Sequence, residues 1–190
     1  NKVIGEENTF WDYQKKTLNH LNDNKNTLGV VPTGGGKSAV FQSLAFVKAM
    51  HEDKTTIITY PLKALAHEQY HFIKEEMYPL KVELADGTLN FYEKHLLYEE
   101  VANDEIDILI ATPEFIDVHR EEFKPLKDNV GLFVVDEAHY IGKATENFRK
   151  VYKNIDDIID FFGNPLTLGV TATLANEVSD PVIDTLDIKS

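Results

Sequence analysis

Eight consecutive residues constrain this chain more than any others: Val31-Pro32-Thr33-Gly34-Gly35-Gly36-Lys37-Ser38. Thr27 to Val31 reads as a short buried strand, and Ser38 to Met50 has helical periodicity. A glycine-rich turn that leaves a strand and opens a helix is the setting of a phosphate-binding loop. Three glycines let the backbone fold tightly and aim its N–H groups at phosphate oxygens. The helix N-terminus adds partial positive charge. Thr33, Gly34, Gly35, Gly36, Lys37 and Ser38 are therefore expected to hold a nucleotide, with Lys37 on its β- and γ-phosphates and the Ser38 hydroxyl on Mg²⁺. ATP and Mg²⁺ are the implied cofactors. A plain glycine turn is the competing reading, and the strand before and helix after weigh against it.

The rest of the chain repeats that alternation. Phe10 to Leu21 reads as a helix, Thr55 to Tyr60 as a β-branched strand, and Leu62 to Met77 as a helix. Val82 to Ala85 is a weak strand, Phe91 to Val101 a helix and Ile106 to Ile110 a strand; Pro113 to His119 starts a helix with proline near its first position. Leu132 to Val135 is a fully apolar strand, Phe148 to Phe162 a helix and Leu166 to Val170 a strand, with a helical tail from Leu174. The acidic stretch from Glu99 to Asp107 reads as a solvated helix end and loop. Strands alternating with helices imply an α/β fold, a mainly parallel sheet with helices on both faces. Fully apolar strands agree, because parallel strands are covered on both sides.

At 190 residues and 43% hydrophobic, the chain suits a single domain over residues 1–190. It has no cysteine, which excludes a disulfide framework and a thiolate metal site; no structural metal is expected. No run is apolar enough to span a bilayer and no signal peptide is visible, so the expected location is the cytoplasm, or the nucleus of a eukaryote. The chain begins at Asn1, so a piece of something longer is expected. A net charge of −13 argues against tight, independent nucleic-acid binding, which needs a basic face. Contacts through backbone amides and helix N-termini escape that argument.

The second strong signal is the strand Leu132-Phe133-Val134-Val135 running into Asp136-Glu137-Ala138-His139. This puts two carboxylates at the C-terminal edge of the sheet, where ligands bind in open α/β folds. Asp136 is expected to hold Mg²⁺, Glu137 to activate the water that attacks the γ-phosphate, and His139 to sense the nucleotide state. Without the phosphate loop, a solvated turn would be an equally good reading. Thr171-Ala172-Thr173 follows the last strand; its hydroxyls can hydrogen-bond neighbouring carboxylates.

Together these residues resemble the superfamily 2 DEAH-box helicases, and the RecQ family most. The resemblance covers about residues 10 to 175 and implies a RecA-like P-loop NTPase domain, the first of two in a helicase. It implies that Gln14 recognises adenine, with Phe10 before it, and Gln42 falls where the family often carries glutamine. Pro61-Leu62-Lys63-Ala64-Leu65 with Gln69, and Ala111-Thr112-Pro113-Glu114, look like the motifs that lie on the nucleic-acid backbone, which nominates Lys63 and Thr112. Phe148, Arg149 and Tyr152 fall where the family has an aromatic-rich loop coupling DNA contact to hydrolysis; Phe148 and Tyr152 could stack on bases, with helix core an equal reading for Phe148 and the preferred one for Tyr152. His139, Thr171 and Thr173 take coupling roles. Trp11 and Ala144 stand where the family usually has arginine and tryptophan, which marks a divergent relative.

The implied activity is ATP hydrolysis driving translocation or unwinding, on DNA more than RNA. The implied partner is a second RecA-like domain of the same protein that supplies arginines, because the chain's two arginines, Arg120 and Arg149, lie in no such motif. Rival readings are a duplex-DNA translocase or an RNA helicase, which share these motifs, and a nucleotide-gated scaffold module, against which Lys37, Asp136 and Glu137 stand intact. A P-loop metabolic kinase leaves the Pro61 turn and the Thr-Ala-Thr segment unexplained.

Overall fold

Strands and helices alternate along the chain from the first described helix onward. The structure is a computed structural model that describes residues 10–31, 34–141, 152, 154–173 and 176–188. The strands are β1 (Thr27–Val30), β2 (Thr55–Thr59), β3 (Val82–Ala85), β4 (Ile108–Ala111), β5 (Val130–Val135) and β6 (Thr167–Thr171). Between and around them lie α1 (Asp12–Asn22), α2 (Lys37–Glu52), α3 (Lys63–Glu76), α4 (Phe91–Ala102), α5 (Pro113–Val118), α6 (Ile155–Phe161) and α7 (Asn176–Thr185). The six strands pair in parallel in the order β1-β6-β5-β2-β4-β3.

Alternation of side chains along each strand divides the core in two. Ile58, Val134, Ile110 and Leu168 pack with Leu21 of α1, Phe41 of α2 and Ile73 of α3. Their neighbours Ile57, Phe133 and Leu109 pack with Leu97 of α4, Ile116 of α5, Ile158 of α6 and Val182 of α7. Among the described residues, three helices therefore cover one face and four the other, which is why strands such as Ile108–Ala111 are apolar throughout.

Local signals place several ends. Asn90 caps α4 by accepting from the Tyr92 and Glu93 amides at 2.9 and 3.1 Å, and Glu93 accepts from the Asn90 amide at 2.7 Å. Pro113 opens α5, where its missing N–H costs nothing.

Three expectations change. β1 is an edge strand and not a buried one: Val30 is 49% exposed, because strand order leaves β1 with β6 as its sole partner in the sheet. The helix expected from Phe148 begins, in the described residues, at Ile155, with Asn154 before it as N-cap and Tyr152 outside it. The acidic stretch is tied down rather than merely solvated: Glu100 and Glu105 hold Lys81 Nζ at 2.9 and 3.0 Å, and Asp107 accepts from the Lys81 amide at 2.7 Å.

Phe133 fills the middle of β5 and lies against Phe162, ring centroids 6.3 Å apart. Phe133→Ala is expected to cost about 3–5 kcal/mol in urea unfolding, while Val30→Ala at the exposed edge stays within about 0.5 kcal/mol.

Candidate active site

All six strands point the same way, so their C-terminal ends share one edge. The phosphate loop leaves β1 there, Asp136 leaves β5, and Thr171 ends β6, the strand between them. The Val31 amide donates to the Thr171 carbonyl at 2.8 Å and carries the β1–β6 ladder up to the loop. Gly34 and Gly36 have φ of 79° and 73°, in the left-handed region; Gly36 is the N-cap of α2. A Cβ on Gly34 would meet nothing within 4 Å, so the demand for glycine there is conformational. Thr33 lies outside the described residues.

Lys37, first residue of α2, turns its Nζ to Glu137 Oε1 at 2.8 Å and Asp136 Oδ1 at 3.2 Å. Burial pulls the lysine pKa down, but the hydrogen bond it donates to Glu137 and the two carboxylate charges outweigh this and leave it raised. Burial drives the Asp136 pKa up, and Lys37 only partly offsets this. One positive and two negative charges leave the cluster net negative. Asp136 is buried, and its Oδ1 has no hydrogen bond of good geometry despite the nearby lysine. A hard cation fits the donor chemistry: the Asp136 carboxylate, and the Ser38 hydroxyl on the first turn of α2, are oxygen donors too few to form a closed cage. That is the way Mg²⁺ is held, with water and substrate phosphate completing its shell. Among the described residues there is no cluster of three His, Cys, Asp or Glu that would make a dedicated metal cage.

Glu137 itself is strained, with φ 52° and ψ 43°. A non-glycine residue there costs about 1–3 kcal/mol, the kind of strain found where function dictates geometry. The sharp turn sets the Glu137 carboxylate between Lys37 and His139, whose Nδ1 is 3.1 Å from Oε2. The same Nδ1 is 2.8 Å from Thr171 Oγ1, and that hydroxyl donates to the Thr173 carbonyl at 2.9 Å. With the Thr171 proton so engaged, Nδ1 of His139 carries the hydrogen. The expected coupling residues His139, Thr171 and Thr173 thus meet in one chain of contacts that begins at Lys37.

Two residues do more than their motifs announce. Gln14 is fully buried; its amide donates to the Gly36 carbonyl at 2.9 Å and its Oε1 accepts from the Trp11 amide at 2.7 Å. It ties the start of α1 to the phosphate loop, and the signal for it was a glutamine three residues into a helix start. Tyr152 is buried and its hydroxyl donates to the Asp136 carbonyl at 2.7 Å. This agrees with its reading as a core residue rather than a base-stacking ring, although it lies outside the helix: it is a strut beneath the acidic turn.

The nucleic-acid candidates divide. Lys63 is exposed at the start of α3, on the same sheet edge, and reaches across Gly87. Thr112 is 1% exposed, with its amide donating to the Ala85 carbonyl at 3.2 Å; it N-caps α5 below the surface, so the expected phosphate contact by its side chain is not available in this conformation. Phe148 and Arg149 lie outside the described residues.

A model of the DEAD/DEAH box helicase family matches residues 11–180. RecS of Bacillus subtilis is 27% identical over 95% of this chain and 35% of its own length. The ATP-dependent DNA helicase RecQ of the same organism is 28% identical over 87% of this chain and 27% of its own. The chain thus spans about a third or less of these relatives' lengths. The crystal structure of the DUF1998 helicase MrfA bound to DNA superposes with a TM-score of 0.76 at 21% identity, over 98% of this chain and 26% of that one. The helicase domain of Hef from Pyrococcus furiosus gives 0.72 at 23%, over 94% and 36%. These likenesses identify the fold as RecA-like.

Tyr152→Phe keeps the ring but leaves the buried Asp136 carbonyl without its donor. It is expected to lower the unfolding free energy by about 1–3 kcal/mol, read from the urea midpoint; an unshifted midpoint would show the bond to be idle.

Proposed function

The chain belongs to the DEAD/DEAH box helicase family, and on that premise we propose that it is the nucleotide-binding half of an ATP-driven motor acting on DNA. It is a helicase ATP-binding domain. The observation that carries the reading is the junction of Lys37 with Glu137 and Asp136, continued through His139 to Thr171. Two sequence segments that flank the central strands meet there, and both are needed to handle a triphosphate.

In this reading the ammonium of Lys37 exchanges its carboxylate partners for the β- and γ-phosphate oxygens when ATP binds. That frees Glu137 to accept a proton from the attacking water and to orient it. Ser38 and Asp136 would hold Mg²⁺, which neutralises phosphate charge when bound. Gln14 holds the loop at Gly36 from a buried position, and it meets the adenine of the ligand only if the start of α1 shifts to expose its amide. Loss of the Lys37 contact alters what Glu137 offers His139, so the nucleotide state reaches Thr171 and Thr173 at the end of β6. Lys63, and the Phe148 and Arg149 segment, are the proposed nucleic-acid contacts.

Arginine for transition-state charge comes from a second RecA-like domain. Arg120 is already committed, 2.6 and 3.0 Å from Asp117 Oδ1 and over the ring of Phe161. An arginine finger is worth about 10³ to 10⁵ in rate, so these 190 residues alone are expected to turn ATP over slowly or not at all. Relatives named as DNA helicases favour DNA as the track.

The test uses the full-length protein. Lys37→Ala should abolish nucleotide binding measured by equilibrium titration. Glu137→Gln should bind ATP as tightly as the unmodified protein and lose turnover by at least about 100-fold, since a general base contributes roughly that much. Unimpaired DNA-stimulated hydrolysis in either variant would sink the assignment.

A further inference from the structure

Among the buried polar groups that the mechanism leaves unused, Tyr60 lies nearest in register to the acidic turn. Tyr60 follows β2, and its side chain is 0% exposed, yet its hydroxyl has no hydrogen-bond partner. Asp136 Oδ1 is buried too and makes no hydrogen bond of good geometry, with only the charge of Lys37 beside it at 3.2 Å. The two residues are neighbours by register: Thr59 pairs with Val135, the Asp136 amide donates to the Thr59 carbonyl at 3.0 Å, and Tyr60 and Asp136 come next on their strands. Register partners on parallel strands send their side chains to the same face. That face is the one α2 covers, since Tyr60 packs with Val40 and Phe41. Burial, and after it the charge of Asp136, hold the Tyr60 pKa well above its ordinary value, so the group stays a neutral O–H donor.

A phenyl ring would fill this space equally well, without the cost of burying a hydroxyl that bonds to nothing. The present arrangement also has Lys37 beside Asp136 Oδ1 at 3.2 Å, a place it must vacate to reach a triphosphate. The oxygen that loses the lysine and the hydroxyl that lacks an acceptor belong to residues that follow adjoining strand ends and share one face.

We propose that Tyr60 is a positioning residue for magnesium: its hydroxyl donates to Asp136 Oδ1 once Lys37 has moved to the triphosphate, and so holds the carboxylate in the orientation that binds the ion. The inference rests on the ATP-site reading given above. Its physical basis is that a ligating carboxylate needs a partner behind it to fix its rotamer, and loss of such a partner weakens metal affinity by about 10–100-fold. Until Lys37 leaves, the hydroxyl is idle, which is why it stands unbonded here.

The experiment compares Tyr60→Phe with the unmodified full-length protein, using a fluorescent ATP analogue whose binding is titrated with Mg²⁺ and, separately, measured in EDTA. Thermal melting without nucleotide is followed alongside. The Mg²⁺ concentration for half-maximal binding should rise about tenfold in the variant. Affinity in EDTA should stay within about twofold, and the melting temperature should not fall, because the lost hydroxyl bonds to nothing before the nucleotide arrives. An unchanged Mg²⁺ midpoint overturns the proposal, as does a lower melting temperature, which would make the hydroxyl a structural bond of the free protein. Nucleotide binding by the unmodified protein that ignores Mg²⁺ altogether would overturn it too, and would be recognised as failure of the ATP-site reading itself.

Discussion

A lysine reaching for two carboxylates organises the working edge of this molecule. Lys37 leaves the loop after β1, and Asp136 and Glu137 leave β5, with β6 between the two strands. Two strand spacings are about 10 Å, more than a lysine side chain covers by itself. The contact closes because Lys37 stands not on β1 but on the first turn of α2, which packs over β2 and β5 and so carries the ammonium to the end of β5. Parallel pairing is the precondition. In an antiparallel arrangement the ends of β1 and β5 could face opposite edges, and these charges would never meet.

This contact leaves the site charged and strained in specific ways. The cluster is net negative, Asp136 is buried with an unbonded oxygen, and Glu137 sits in a costly backbone conformation. The first two are departures that a triphosphate with its cation would relieve, because Lys37 would gain phosphate oxygens and the carboxylates would gain the ion. Neighbouring groups are placed to respond. Gln14 grips the loop from α1, Tyr152 supports the Asp136 backbone from below, and His139 stands between Glu137 and Thr171. A change at Lys37 therefore has a continuous route of polar contacts to the end of β6.

Much of this was readable in advance, for physical reasons that differ residue by residue. The loop was legible because only glycine enters the conformation seen at Gly34 and Gly36 without strain. β5 was legible because a strand covered on both faces has no polar position to disguise it. Thr112 departs from its expected role and Tyr152 keeps to the core for one shared reason: motif position says which segment approaches the ligand edge, while burial decides which way its side chain can act. Tyr152 lies under the acidic turn, and Thr112 beneath the α5 N-terminus. The exposure of β1 was likewise invisible, since an apolar strand looks the same whether it has one neighbour or two.

By itself, the order of residues determined the alternation of strands and helices, the nucleotide loop, and the carboxylates that answer it. Each is written in local chemistry: periodicity, glycine at forced dihedrals, and acidic residues at the end of an apolar strand. Only the tertiary structure decided that β1 lies at the edge, that His139 bridges Glu137 to Thr171, and that Tyr60 stands beside Asp136. Those facts depend on strand order and register, which join residues far apart in sequence, and no local pattern encodes which strand will lie next to which.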